Sequence, residues 1–254
     1  MRRIAALAVA AALSLPAIGV AGSADAAEIR LLASNALKST LEELAPQFER
    51  ASEHKLIITF GAAAELKAAI EKGAPVDVAL LTTAAVDDLV KAGKLVAAGR
   101  ADIARSAAGV AARKGAPKPD LSTTEAFKRA MLEAKSIAYV GVGASAPSIR
   151  SIFDRLGIAD QVKSKIKQTP ASDPAANAVA NGEAELGITQ ISEILPYAGA
   201  ELVGPLPPEI QFYTDYPAAI AASAKEAEAG RALIAFLRTP AAAAVLKAKG
   251  LTPG

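Results

Sequence analysis

An α/β protein of two lobes, each a mixed and mostly parallel sheet flanked by helices, follows from three features of this chain. Between Glu28 and Val90, strand-like apolar runs alternate three times with helical periodicity, which calls for parallel strands joined by helical crossovers. From Ala101 to Pro119 that rhythm lapses into one long run, and a second αβ set begins after it. The closing helices read as a return to the first set, so the chain crosses between lobes twice, near residues 105 to 112 and near 217 to 222. Lobe 1 is expected to comprise residues 27–107 and 218–254, and lobe 2 residues 108–217.

The first 26 residues stand apart from that fold. Arg2 and Arg3 precede an apolar stretch from Ile4 to Val20, and Ala24-Asp25-Ala26 supplies a small-x-small site. Residues 1–26 therefore read as a secretory signal peptide cleaved after Ala26, and the mature protein as periplasmic. With no cysteine in the chain, neither a disulfide nor a lipidated cysteine tether is available. No later segment is long and apolar enough to span a bilayer.

In lobe 1, Glu28 to Ala33 reads as a strand, and Leu37, Leu41, Leu44, Ala45 and Phe48 recur at helical spacing. Lys55 to Phe60 is the second strand, followed by a helix with Leu66 and Ile70 inward. Val76 to Leu81 is the third, and Thr82-Thr83 leads into a helix carrying Val86, Leu89 and Val90. In lobe 2, Ile103 to Ala112 reads as a long strand. Ser122 and Glu125 form a capping box for a helix through Leu132. Strands follow at Ser136 to Val140, Lys163 to Gln168 and Ala184 to Gln190, with a helix bearing Ile149, Ile152, Phe153 and Leu156 between the first two and a short helix opened by Ser172 and Asp173 before the last. Gln211 to Tyr216 and the apolar Ala218 to Ala222 follow. Ser223 with Glu226 repeats the capping box, and Thr239-Pro240 starts the last helix, which ends at Gly250.

Composition narrows the partners. The formal net charge is only +2, which argues against a nucleic-acid partner, since that would need a basic face. Trp is absent and aromatics are 4% of the chain, so the core is built from Ala, Leu, Ile and Val.

Four turns share one makeup, small residues after a strand and before a helix: Ser34-Asn35, Gly61 to Ala64, Gly143 to Ser148, and Ser172-Asp173. Each could simply cap its helix. If they converge, their free backbone N–H groups form a seat for a dehydrated anion without buried cations. Arg150, one turn into the helix after Gly143 to Ser148, could reach such an anion or lie on the surface. Gly141-Val142-Gly143-Ala144-Ser145-Ala146 also fits G-x-G-x-x-A, a dinucleotide pattern, although the first strand-turn-helix lacks such glycines. No catalytic set is legible: there is no G-x-S-x-G, no metal-ligand spacing and no cysteine nucleophile, and the sole His54 reads as structural. Glu42-Glu43 and Asp87-Asp88 read as solvated helix faces. The protein is expected not to be an enzyme and to need no cofactor.

Ala33-Ser34-Asn35-Ala36, Phe60 to Ala64, Glu71-Lys72-Gly73-Ala74-Pro75-Val76-Asp77-Val78, Gly187-Ile188-Thr189-Gln190 and the ending Phe236 to Ala242 resemble the ModA-like molybdate-binding proteins over nearly the whole mature length. The resemblance implies the type II periplasmic binding protein fold, two lobes closing on a solute, and delivery by a monomer to an ABC permease in the inner membrane. It places the first oxyanion-binding serine at Ser34, with a slip to Asn35 allowed. The second falls among Ala62, Ala63 and Ala64, where only backbone N–H groups remain. A backbone contact falls near Ser145 or Ala146, with Ser148 in the same turn, and another near Ser172. The family's pocket tyrosine becomes Gln190. Molybdate or tungstate is the implied ligand. The alternative is a small organic di- or tricarboxylate, with Arg150, Gln190 and Asn35 as donors. A periplasmic enzyme of this fold would need a titratable pair in the cleft.

Overall fold

The computed structural model describes residues 26–171 and 174–254. Residues 1–25 of the signal peptide assigned above, and Ser172 and Asp173, lie outside the described residues.

The first lobe is a three-layer αβα sandwich. Strands β1 (Glu28–Ser34), β2 (Lys55–Gly61) and β3 (Val78–Leu80) pair in parallel in the order β2-β1-β3, separated by helices α1 (Lys38–Ser52), entered through a 3-10 turn at Asn35–Leu37, and α2 (Ala63–Glu71). Helix α3 (Thr83–Lys91) follows β3. Alternation along each strand feeds both faces: Leu31, Val78 and Leu80 join one core, while Leu32, Ala79 and Leu81 join the other. Strand β3 is shorter than the apolar run Val76 to Leu81, though the Asp77 backbone still donates to the Arg30 carbonyl and accepts from the Ala221 N–H, both at 2.9 Å, and its carboxylate has other work. Its Oδ2 accepts from the Arg30 N–H at 2.8 Å, and its Oδ1 accepts from Lys225 and Glu226 N–H at 2.8 and 3.2 Å.

Strand β4 (Ala101–Arg113) runs through both lobes. Its first half pairs antiparallel with β9 (Tyr213–Ile220) and β10 (Leu251–Pro253), its second half with β7 (Leu186–Gln190) and β8 (Ala200–Pro205). In its second half a Cβ on Gly109 would lie 2.8 Å from Ile191 Cγ1 and 2.9 Å from Leu202 Cδ1, so a larger residue there would have to displace both side chains. The second lobe adds β5 (Ile137–Val140) and β6 (Ile166–Thr169), parallel to each other, with β5 also parallel to β7. Helices α4 (Thr124–Glu133), α5 (Ala146–Arg155), α6 (Ala159–Val162), α7 (Ala175–Ala180) and α8 (Ile191–Ile194) cover it. The chain returns at Phe212 and Tyr213: Phe212 packs on the second lobe's core and Tyr216 belongs to the first. This is a few residues before the expected 217 to 222. Helices α9 (Ala227–Leu237) and α10 (Pro240–Ala248) then close the first lobe. Among the described residues no single helix is long and apolar enough to cross a membrane; α9 and α10 are bent by 65° at their junction.

Several local expectations shift. Thr123, not Ser122, caps α4, its hydroxyl accepting from the Ala126 N–H at 3.1 Å, because Asp120 has already taken the Ser122 N–H. No side chain of Ser223 caps α9; Asp77 receives those N–H groups instead. The strand expected at 163–168 begins only at Ile166, after a 3-10 turn. Strands β8 and β10 carried no sequence signal. Every residue of β8 is half-buried or exposed, which erases alternation, and β10 is three residues long after Gly250, whose φ of +79° reverses the chain.

Candidate functional site

The ends of the parallel strands and the starts of the helices that follow them meet in one cleft. The first lobe supplies Ser34 to Ala36 after β1, Gly61 to Ala63 after β2, and Thr82 after β3. The second supplies Gly143 to Ser145 after β5, Thr189 and Gln190 at the end of β7, and Glu193. Tyr216 on β9 forms part of the wall. Register brings the first two turns side by side, since Ser34 pairs with Gly61.

Backbone donors converge there. The first intrahelical N–H of α2 is that of Leu66 and the first of α3 that of Val86, so Ala63 and Thr83 begin helices whose leading N–H groups have no intrahelical acceptor. Among the described residues no Lys, Arg or His lines the cleft. Ser34 is 4% exposed, and its hydroxyl has no partner among the described residues. Gln190, 2% exposed, donates from Nε2 to Ser145 Oγ at 2.8 Å and Thr214 Oγ1 at 2.9 Å, while its Oε1 is likewise unpartnered. Two buried polar groups facing one hollow without partners are the mark of a site that a polar guest completes.

Of the residues expected at the site, Ser34, Asn35, Ala63, Ser145 and Gln190 come together. Ala64 is exposed on α2 and outside the lining. Ala146 is buried, and its N–H is spent on the Gly143 carbonyl at 3.1 Å. Arg150 and Ser148 do not reach the cleft: Ile149 takes the inward face of α5, so its neighbours point to opposite flanks. Arg150 lines a separate hollow with Tyr139 and Phe153, and Ser148 another with Arg155 and Phe212. Arg150 is therefore withdrawn as a donor to a carboxylate in this cleft. Ser172 lies outside the described residues. His54 is structural, accepting the Ala27 N–H on Nδ1 at 3.1 Å.

Sequence reading missed Thr82, Glu193 and Tyr216. Thr82 had been read only as a helix start. Glu193 stands three residues after Gln190, at the spacing from which a carboxylate reaches back to cap the helix. Tyr216 gave no signal at all. Thr189 Oγ1 donates to Glu193 Oε2, and the Gln190 backbone also bonds that carboxylate. Burial pushes the Glu193 carboxyl above its usual range, outweighing those two bonds. Burial first, and then the Glu193 charge, push the Tyr216 phenol well above 10, against a hydrogen bond with Thr214. The cleft thus holds a titratable pair that the sequence did not reveal. Among the described residues no cluster of His, Cys, Asp or Glu could hold a metal ion.

The model of one family, described as bacterial extracellular solute-binding protein, matches residues 29–252. The chain belongs to that family. Among curated relatives, this solute-binding protein is 33% identical over 230 residues to a Pseudomonas protein named aconitate isomerase, covering 89% of this chain and 87% of the other. It is 28% identical over 243 residues to the molybdate-binding protein ModA of Azotobacter vinelandii, covering 91% and 92%. Among solved structures, the periplasmic molybdate-binding protein of Azotobacter vinelandii superposes with a TM-score of 0.75 at 22% identity, covering 88% of this chain and 98% of that one. The chain's fold is the two-lobe type II fold of those binding proteins.

Proposed function

We propose that this solute-binding protein captures a small, multiply charged oxyanion in the cleft between its lobes and, as a periplasmic monomer, hands it to an ABC permease in the inner membrane. Molybdate or tungstate is the first candidate, as the ModA-like relatives suggest. The observation that carries the reading is the meeting of helix-start N–H groups of the first lobe with Ser145 and Gln190 of the second, in a cleft that among the described residues has no cationic side chain and an unpaired Ser34 hydroxyl. Such donors neutralise a dehydrated anion by hydrogen bonding, and their fixed geometry discriminates by size and shape. The amide of Gln190 fits the same role. With the Ser145 and Thr214 hydroxyls as donors it can turn over, accept on Oε1 and offer its NH₂ to the guest.

A second reading is favoured by the 33% identical Pseudomonas relative and by the shape of the cavity. Beside Glu193 lies a further chamber that shares Asn35, Ala171 and Pro174 with the cleft and is also lined by Lys38, Ser39 and Tyr197. A tetrahedral oxyanion fills one end of that space; a small organic tricarboxylate would use both. Thermal-shift measurements against molybdate, tungstate, sulfate, citrate and the two aconitate isomers separate the readings. A guest at one hundred times its dissociation constant adds about 2.7 kcal/mol of stability. A shift with molybdate and none with the carboxylates supports the first reading, and the reverse supports the second. No shift with any anion overturns both.

A further inference from the structure

Resting on the second reading of the cleft, we propose that the protein also performs proton transfer: Glu193 moves a proton along the three-carbon unit of an unsaturated tricarboxylate held across both chambers.

Position is the first argument. Glu193 lines the inner cleft with Ser34 and Ser145 and also the outer chamber with Lys38, so it stands at the junction of the two. A guest with one carboxylate among the inner N–H donors and another towards Lys38 presents its central carbons to the Glu193 carboxyl. Those carbons include the methylene next to the double bond, whose C–H is acidified by both the alkene and a carboxylate.

Setting is the second. Thr189 and the Gln190 backbone hold the carboxyl in place, using only part of its acceptor capacity. Burial makes it a stronger base than a solvated carboxylate. Tyr216, a neutral phenol on the same wall, can hydrogen-bond to the charge that develops on the guest.

In the step, the methylene C–H breaks as an O–H forms on Glu193. The electron pair spreads through the double bond into the carboxylates, whose oxygens face the N–H donors of the inner cleft. The carboxyl then gives a proton, the one it took or one it has exchanged with solvent, to the carbon at the far end of the three-carbon unit, and the double bond moves by one position. Rotation before the return decides whether the product is cis or trans. No electron is gained or lost and no co-reactant is consumed.

The test follows cis- and trans-aconitate by proton NMR in D₂O with the whole secreted protein, alongside Glu193→Gln. The amide keeps an oxygen to accept from Thr189 but cannot take up the proton. The parent is expected to exchange the guest's methylene hydrogen and interconvert the isomers, and the variant to do so at least about a hundredfold more slowly while still shifting its melting temperature with the guest. A parent that binds but neither exchanges nor isomerises overturns the proposal and leaves the receptor reading intact. A variant as fast as its parent also overturns it. Absence of a thermal shift with either isomer removes the guest, and both the second reading and this proposal fall.

Discussion

Asn35, at the entrance to α1, donates from Nδ2 to the Ala171 carbonyl at 3.1 Å, tying the first lobe to the second across the mouth of the cleft. Both residues line the inner cleft and the outer chamber, so the bond sits where a guest enters and leaves. Because the bond joins the two lobes, it favours the arrangement in which they meet over any in which they part.

Replacing Asn35 by Ala is accordingly expected to weaken guest binding by about fivefold, the effect of roughly 1 kcal/mol. The loss should fall mainly on the dissociation rate. Stopped-flow measurement of release, set against the equilibrium constant, checks this, and a change confined to association would contradict it.

Ser34 separates binding from folding. Its hydroxyl is buried without a partner, so Ser34→Ala should leave the melting temperature of the free protein unchanged or slightly raised. The same variant loses a hydrogen bond to a charged guest, about 1.5 to 3 kcal/mol, which is roughly ten- to hundredfold in affinity. Arg150→Ala should change neither quantity, because that side chain is exposed on the far flank of α5. Isothermal titration together with thermal unfolding of the three proteins side by side reads out these expectations.

Asp77 makes the opposite prediction. Its 2% exposed carboxylate collects N–H groups from Arg30, Lys225 and Glu226, joining β1 to the start of α9, while no atom of it lines the cleft. Asp77→Ala strands those donors at a cost of about 3 kcal/mol. For a chain of this size that lowers the melting temperature by about 6 to 12 °C. Whatever protein remains folded should bind its guest with unchanged affinity, as calorimetry below the transition would show.

Asp77 also illustrates what the sequence could and could not convey. Strand and helix periodicity located the parallel strands and the turns after them, because burial on alternate faces leaves a pattern in the residues themselves. The turns at Ser34, Gly61 to Ala63 and Gly143 to Ser145 were legible as a group for that reason. The work of Asp77 was not, because its partners lie 47 and 148 residues away. The same holds for Glu193 and Tyr216, which the antiparallel pairing of β4 with β7 and β9 brings onto one wall. Arg150 erred in the other direction: closeness in sequence to a binding turn says little when each helical residue rotates by about 100° from the last.

The two acids in the cleft give stability a definite dependence on pH. Glu193 has a folded-state value raised above that of the unfolded chain, so the folded protein holds its proton more tightly. The proton linkage of this group therefore favours the folded state in acid. That contribution is lost as the pH climbs from the ordinary carboxylate range through the raised value. Tyr216 has the same sign: the unfolded phenol ionises near 10 and the buried one well above it, so stability should fall as the pH rises beyond 10. Asp120 and Glu201 have the opposite sign. Their values are lowered, chiefly by the Ser122 backbone N–H and the Lys118 side chain respectively, so what they contribute disappears as the pH falls through their values; both are exposed and their effects small. Glu193→Gln should therefore flatten the decline in melting temperature that begins above the ordinary carboxylate range, and Tyr216→Phe should flatten the decline above pH 10. Each variant should leave the other's limb intact. A Glu193→Gln protein whose melting temperature falls across the lower window as steeply as the parent's would mean that the carboxyl is not held in the buried, neutral-favouring environment its position in the cleft implies.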